Sequence, residues 1–149
     1  VRGSGGTVVL DASSSGFLAD HGSEWWWGIA SHATLLRAND DEATFLTGLD
    51  DPDQAVAEFT SRGLIGIVTL AEKGAVCATP GKAPVHRPAK ALGPGGMVDP
   101  TGAGDSFSAG LISQLLAGKS LDEAVDEGLR VSAQAVSQSG ARPWSPQRH

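Results

Sequence analysis

One stretch of the chain, residues 98–112, combines a loop that holds two glycines, Gly102 and Gly104, with the start of a helix predicted at residues 106–117. Gly102 and Gly104 have no side chain, so their backbone N–H groups can face an approaching anion. The first N–H groups of the helix that follows lack partners within the helix, and the positive end of the helix dipole lies at the same place. This combination predicts a site for a phosphate or an oxyanion.

Asp105 lies inside this predicted anion site. A carboxylate beside a phosphate is repelled by it, so the position makes sense mainly if the carboxylate handles a proton during phosphoryl transfer. In that chemistry an Asp accepts the proton of the attacking hydroxyl, while the backbone stabilises charge on the transferred group. The alternative is structural, with the glycines forming a tight loop and Asp105 capping the helix.

The whole run of residues 99–112, DPTGAGDSFSAGLI, resembles the C-terminal signature of the ribokinase-like (PfkB) carbohydrate kinases. The resemblance implies an anion hole formed by the backbone of Gly102, Ala103 and Gly104. Asp105 is then the catalytic base. The reaction that the resemblance implies is the ATP-dependent phosphorylation of a hydroxyl on a sugar, a nucleoside-like compound or a related small alcohol.

A second pair of polar residues follows the predicted strand at residues 33–38. Asn39 is a good helix N-cap, and Glu42 stands three residues later, which is the spacing of a capping box. The pair also resembles the Asn-x-x-Glu motif of the PfkB kinases, which implies that both residues help to hold hydrated Mg²⁺ and the nucleotide phosphates. Because Mg²⁺ keeps several of its waters, Glu42 can act on the ion through a water molecule.

A continuous apolar run, of the kind buried on both faces of a parallel sheet, ends near Thr69. Glu72, Lys73 and Gly74 form the turn after it. With Thr69 they resemble the nucleotide-contacting segment of the PfkB kinases, although an ordinary hairpin turn has a similar composition. The family usually has Gly where this chain has Ala71, and the added methyl group either crowds the nucleotide or requires a different backbone angle.

The last predicted helix, at residues 121–136, brings further expectations from the same resemblance. In the PfkB family the corresponding helix end flanks the adenine and lies near a monovalent-cation site. The resemblance implies that Asp99, Thr101 and Ala135 border a monovalent cation such as K⁺. Gly140 borders the same region and is expected to contact the nucleotide.

Composition and charge limit the kinds of molecule that the chain can bind. The chain has 149 residues, about one domain, and a formal net charge of −6. This charge argues against nucleic acid and anionic membranes as partners, because both require a basic surface. Cys77 is the only cysteine, which excludes an internal disulfide and favours a reducing, cytoplasmic environment. The resemblance to the PfkB kinases implies a small-molecule partner instead, a sugar or a nucleoside-like acceptor.

The order of predicted elements is β-α-β-α-α-β-β-β-α-α, which is typical of a layered α/β fold with helices flanking a mostly parallel central sheet. Ligands of such sheets bind at the carboxyl ends of the strands. Residues 1–149 are therefore interpreted as the C-terminal nucleotide-binding part of a ribokinase-like domain. The family's Gly-Gly sugar signature and lid strands have no counterpart here, so we expect an incomplete fold, and a homodimer is one expected assembly of the full-length protein.

Three consecutive tryptophans, Trp25, Trp26 and Trp27, lie in a predicted helical segment at residues 17–32 that glycines interrupt. Consecutive residues are spread around a helix, so the three cannot all point to one face. One or two should be exposed or should meet another surface, either as a platform for a substrate or partner or through packing within the protein.

Other function classes fit less well. A non-catalytic nucleotide-binding fragment or regulatory module of the same fold is the main alternative to a kinase. The run Gly104-Asp105-Ser106 resembles the start of certain esterases, but these need a late Asp-x-x-His pair, and no histidine of this chain follows an Asp by three. A Walker-type NTPase is excluded because the chain has no Gly-x-x-x-x-Gly-Lys-Ser/Thr run.

Overall fold

The structure, a computed structural model, describes residues 6–93 and 95–137, apart from the side chain of Ser15. The chain divides into two units, Val1–Arg87 and Pro88–His149. The first unit contains β1 (Val9–Asp11), α1 (Ser15–His21), α2 (Ser23–Ala30), β2 (Leu35–Asn39), α3 (Asp40–Thr47), α4 (Pro52–Ser61), β3 (Ile65–Thr69), a 3-10 turn (Ala71–Lys73), β4 (Ala75–Ala78) and β5 (Val85–Arg87). The second unit contains α5 (Ala103–Leu116) and α6 (Leu121–Val136).

The five strands form one sheet in the order β1-β2-β3-β4-β5. Strands β1, β2 and β3 are parallel, whereas β4 and β5 join by antiparallel pairing. The register places Asp11 beside Arg37 and Asn39 beside Thr69, so the carboxyl ends of the three parallel strands meet at one edge. The predicted α/β class with a mostly parallel sheet is confirmed, since three of the five strands among the described residues are parallel.

The core of the first unit follows from the apolar character of its two central strands. Leu36 on β2 and Val68 on β3 are fully buried, and they join a cluster with Val56 and Phe59 of α4. Packing against α4 explains why β3 has a glycine in its interior. A Cβ on Gly66 would lie 3.1 Å from the Cβ of Phe59. The missing side chain therefore lets α4 approach the sheet closely.

The helical segment predicted at residues 17–32 is two helices, α1 and α2, and only one of its glycines ends a helix. Gly22 has φ +79 and separates the two, whereas Gly28 continues within α2. Trp26 is buried, Trp25 is 44% exposed, and the indole N–H of Trp27 donates to the carbonyl of Leu46 at 3.0 Å. The prediction that the tryptophans face different directions is confirmed.

The two helices of the second unit pack against each other at glycines. A Cβ on Gly110 of α5 would lie 3.0 Å from the carbonyl oxygen of Glu127 on α6. A Cβ on Gly128 would lie 2.9 Å from the ring of Phe107, which is itself buried. The backbones of α5 and α6 therefore approach more closely than any larger residue at these positions would allow.

Among the described residues, no helix combines the length and the apolar character that spanning a membrane requires.

The glycine contact predicts a specific effect of Gly110→Ala. The methyl group would press on the backbone of α6, and we expect the free energy of unfolding to fall by about 1–3 kcal/mol, as for other overpacked sites. Gly28→Ala is the matched control, because Gly28 is also helical but has open space around it. That variant should gain up to about 1 kcal/mol from helix propensity. Urea denaturation followed by circular dichroism measures both, and equal effects of the two variants would contradict close packing at Gly110.

Candidate functional site

The carboxyl ends of β1, β2 and β3 collect polar side chains at one edge of the sheet. Asp11 ends β1, Asn39 ends β2 and Thr69 ends β3. Arg37 lies two residues before the end of β2, and Glu42 lies in the first turn of α3, which follows β2 directly. Of the predicted site residues in this unit, Asn39, Glu42 and Thr69 are therefore brought together.

Arg37 is a buried guanidinium at the centre of this edge. Its side chain is 6% exposed, and its Nη1 lies 3.2 Å from Oδ1 and 3.4 Å from Oδ2 of Asp11. Its Nη2 donates to the hydroxyl of Thr69 at 2.6 Å. A buried charge requires such partners, because taking it out of water is costly. One side chain thus links the ends of three neighbouring strands.

Neither Arg37 nor Asp11 belongs to the motifs from which the site was predicted. A signal was present, because Arg37 is the one charged residue of β2 and follows two leucines, and a charge in such a strand needs a partner. Its partners lie 26 and 32 residues away along the chain. Sequence periodicity shows the need for a partner but does not identify a distant one.

Asn39 and Glu42 form the predicted capping box. The Asn39 side chain accepts the N–H of Glu42 at 2.8 Å, and the Glu42 carboxylate accepts the N–H of Asn39 at 2.8 Å. Glu42 is buried, and burial raises the pKa of its carboxyl group, against the opposing effects of the Asn39 hydrogen bond and the nearby Arg37. The raised pKa means that the surroundings of Glu42 do not fully offset the cost of burying its negative charge. A nearby cation would stabilise that charge, so the carboxylate is suited to lie near one.

The predicted nucleotide-contacting turn lies between β3 and β4. The N–H of Leu70 donates to the carbonyl of Gly74 at 2.8 Å, so the turn closes an antiparallel hairpin. Glu72 and Lys73 are exposed in its 3-10 segment. Ala71 has φ +49, in the left-handed region that favours glycine. Ala71 thus adopts a conformation that glycine adopts without strain, while the expectation that its methyl group crowds the nucleotide or requires a different backbone angle stays a prediction.

In the second unit, α5 begins at Ala103, three residues before the predicted start at residue 106. Gly102, with φ +77, is the N-cap residue, and no side chain caps this helix. Asp105 therefore does not act as a helix cap, and its carboxylate is exposed in the first turn. The helix starts early because Gly102 adopts a left-handed conformation that turns the chain directly into it.

The amides at this helix start differ in their partners. The N–H of Ala103 donates to the carbonyl of Pro100 at 3.2 Å. Within the described residues of the second unit, no acceptor takes the N–H of Gly102, Gly104 or Asp105. Such orphan donors at a helix N-terminus, together with the helix dipole, are suited to bind an anion.

The predicted cation-site residues lie around the end of α6. The N–H of Asp99 donates to the carbonyl of Val136 at 3.1 Å, next to Ala135 in sequence. The carboxylate of Asp99 accepts the N–H of Thr101 at 2.9 Å. Three of the four predicted residues of this region are thus drawn to one place, and Gly140 lies outside the described residues. In the part of the chain that the structure describes, no three His, Cys, Asp or Glu side chains form a metal-binding cluster.

Comparison with known proteins gives the family. Residues 8–148 match the pfkB family carbohydrate kinase. The chain belongs to the pfkB family of carbohydrate kinases. The family resemblance inferred from the two motifs is confirmed, while the roles of individual residues stay predictions.

Relatives within the pfkB family show how much of the family's length the chain represents. Ribokinase of Haemophilus influenzae is 29% identical over 147 residues, which are 95% of this chain and 44% of that protein. The structure of adenosine kinase from Sinorhizobium meliloti matches with a TM-score of 0.84 at 28% identity, covering 97% of this chain and 43% of that one. Aminoimidazole riboside kinase from Salmonella enterica, complexed with aminoimidazole riboside and an ATP analogue, gives a TM-score of 0.81 at 28% identity, covering 94% and 49%. The chain spans less than half the length of each of these proteins.

The capping box predicts a pH dependence of Glu42→Gln. Glutamine keeps the cap but removes the charge. Because burial raises the folded-state pKa of Glu42, the protein binds this proton more tightly when folded, and its stability falls as the pH rises through that pKa. Glu42→Gln should therefore be the more stable protein at pH 7. The difference should vanish below about pH 4, where the unfolded chain is protonated as well. Urea denaturation across this pH range measures it.

Glu123→Gln on α6 is the matched control. Glu123 occupies the same position of a second capping box, but it is exposed, and hydrogen bonds from Ser120 lower its pKa. Its contribution to stability is present at neutral pH and is lost as the pH falls through the folded-state pKa. This substitution should therefore destabilise the protein at pH 7. Shifts of the same sign for both variants would contradict the assigned cause.

The strained turn predicts a small or favourable effect of Ala71→Gly. A left-handed alanine costs about 1–2 kcal/mol, and the added flexibility of an unfolded glycine offsets about 0.4–1 kcal/mol of the relief. We expect a change in unfolding free energy between zero and about 1.6 kcal/mol in favour of the variant. Ala57→Gly, at an exposed position inside α4, should cost about 1 kcal/mol instead. Chemical denaturation of both variants tests this, and an equal loss in the two would contradict strain at Ala71.

Proposed function

We propose that this chain supplies the nucleotide site and the catalytic base of an ATP-dependent kinase that phosphorylates a hydroxyl on a sugar or a nucleoside-like compound. The observation that carries the proposal is the start of α5. There an exposed carboxylate, that of Asp105, shares the first helical turn with backbone amides that have no acceptor among the described residues of their unit. The family of the chain supports the same chemistry.

In the proposed reaction the Asp105 carboxylate accepts the proton of the acceptor hydroxyl. The hydroxyl oxygen then bonds to the γ-phosphorus of ATP, and the bond from that phosphorus to the bridging oxygen breaks, leaving ADP. Residues 102–104 form the anion hole for the transferring oxygens. Gly102 and Gly104 offer amides without acceptors, and Ala103 lies between them with its amide shared with Pro100. Catalysis of this kind depends on positioning and on stabilisation of developing charge.

The nucleotide is proposed to contact the polar edge of the first unit. Thr69 ends the third parallel strand, and Glu72, Lys73 and Gly74 follow it, which is where ligands of α/β sheets bind. Gly140 is assigned to the same ligand by family resemblance.

Two cation sites belong to the proposal. Asn39 and Glu42 would hold hydrated Mg²⁺, and burial of the Glu42 carboxylate supports a role near positive charge. Mg²⁺, when bound, would neutralise charge on the phosphate oxygens. Asp99, Thr101 and Ala135 would border a monovalent cation such as K⁺, which is supported by the bonds that hold Asp99 at the end of α6.

The relatives guide the choice of acceptor. They are named for ribose, adenosine and aminoimidazole riboside, so we propose an acceptor hydroxyl on a sugar or on the sugar of a nucleoside. A homodimer of the full-length protein and a cytoplasmic location remain predictions from the sequence.

A non-catalytic nucleotide-binding module is the second candidate. It is favoured by the strained Ala71 in the predicted nucleotide turn. The two candidates differ in turnover rather than in nucleotide binding. A phosphoryl-transfer assay on the full-length protein with ribose, fructose and adenosine therefore separates them.

The proposal predicts opposite effects of Asp105→Asn on catalysis and on binding. Loss of the base should lower turnover of the full-length protein about 10²–10⁴-fold. Affinity for Mg·ATP, measured by calorimetry, should be unchanged or slightly higher, because a charge that repels phosphate is removed. Asp20→Asn, at an exposed position on α1, changes the net charge equally and should leave turnover intact. Unchanged turnover in Asp105→Asn would refute the assignment of the base.

A further inference from the structure

The neighbouring Arg37 determines whether the Thr69 hydroxyl oxygen donates or accepts in the hydrogen bond between them. Arg37 Nη2 donates to Thr69 Oγ1 at 2.6 Å, and a guanidinium can only donate. The hydroxyl oxygen is therefore an acceptor in this bond, and its own hydrogen must point elsewhere. The carbonyl oxygen of Ala38 lies 3.4 Å away, a long contact for O–H···O. The hydrogen of Thr69 is thus poorly used within the protein.

Arg37 is in turn fixed by β1. Both oxygens of the Asp11 carboxylate lie within 3.4 Å of Nη1, and the sheet register sets these two residues opposite each other. The guanidinium is planar and presents its nitrogens in a rigid fork. When Nη1 faces Asp11, the direction of Nη2 is therefore determined as well. A lysine would carry the same charge but only one nitrogen, which cannot repeat this geometry.

We propose that Arg37, oriented by Asp11, is a positioning residue that commits the Thr69 hydroxyl to donate its hydrogen to an oxygen of the bound nucleotide. Arg37 itself acts on the nucleotide only through Thr69. This inference rests on the proposed function, because it takes the nucleotide as the ligand of the strand edge. It explains why β2 carries a buried charge next to the predicted nucleotide turn.

A double-mutant cycle on nucleotide affinity tests the proposal. Calorimetry with Mg·ATP is carried out on the wild type, Arg37→Lys, Thr69→Val and the double variant. Loss of one well-oriented hydrogen bond should weaken binding about five- to tenfold in each single variant. The double variant should bind no more weakly than Thr69→Val, because Arg37 has no route to the ligand without the hydroxyl. Additive losses would overturn the proposal.

Controls separate positioning from stability. Arg62→Lys makes the same substitution at an exposed arginine over the Trp27 ring, and it should leave affinity unchanged. Circular dichroism reports whether Arg37→Lys is folded. If it is not, Asp11→Asn takes its place in the cycle, since it keeps a hydrogen-bond acceptor for the guanidinium but removes the charge that orients it. The expected non-additivity with Thr69→Val is the same.

A measurement made without nucleotide tests separately whether Arg37 orients the Thr69 side chain. Three-bond couplings to the Thr69 methyl group, measured by NMR, should show one χ1 rotamer in the wild type and averaging in Arg37→Lys. A single unchanged rotamer in the variant would overturn the role of Arg37. Wild-type protein that binds no Mg·ATP would instead overturn the proposed function, and the rotamer measurement would still decide whether Arg37 orients Thr69.

Discussion

A buried ion pair and the pairing of the parallel strands depend on each other in the first unit. The Arg37 guanidinium is acceptable inside the sheet only because Asp11 compensates its charge. Asp11 is within reach only in the observed register, since a slip by one residue would turn the side chain to the opposite face. The same register sets Asn39 beside Thr69. The ion pair therefore keeps the carboxyl ends of the parallel strands aligned. The residues predicted to contact the nucleotide lie at that edge.

The two capping boxes show how burial changes the chemistry of one local motif. Glu42 and Glu123 make the same pair of hydrogen bonds at the start of α3 and α6. The pKa of the first is raised because burial outweighs its hydrogen bond. The pKa of the second is lowered by its hydrogen bonds from Ser120, because its exposed carboxylate has little burial to oppose them. A residue pattern that caps a helix can thus also supply a reactive carboxylate, provided that tertiary packing covers it.

The candidate site of the second unit depends on glycines at two places, the start of α5 and the contact between α5 and α6. Gly102 adopts the left-handed conformation that begins α5 at Ala103, so the next amides fall in the first turn and lack helical partners. Gly110 and Gly128 allow α5 and α6 to pack at backbone distance, which gives the helix that carries Asp105 a rigid support. The Asp105 carboxylate and the amides without helical partners lie in one turn because Gly102 sets where α5 begins. The contact between α5 and α6 holds that helix in place.

Local patterns in the sequence were enough to determine the α/β class, most of the helices and strands, the Asn39–Glu42 capping box and the family. These depend on periodicity, on caps and on contiguous motifs such as residues 99–112, all of which act over a few residues. Only the tertiary structure decided that Gly22 rather than Gly28 divides the first helical segment, and that Arg37 bridges Asp11 and Thr69. Those outcomes depend on contacts between residues far apart in the chain, and the free energy of such contacts is set by packing and burial rather than by neighbouring residues.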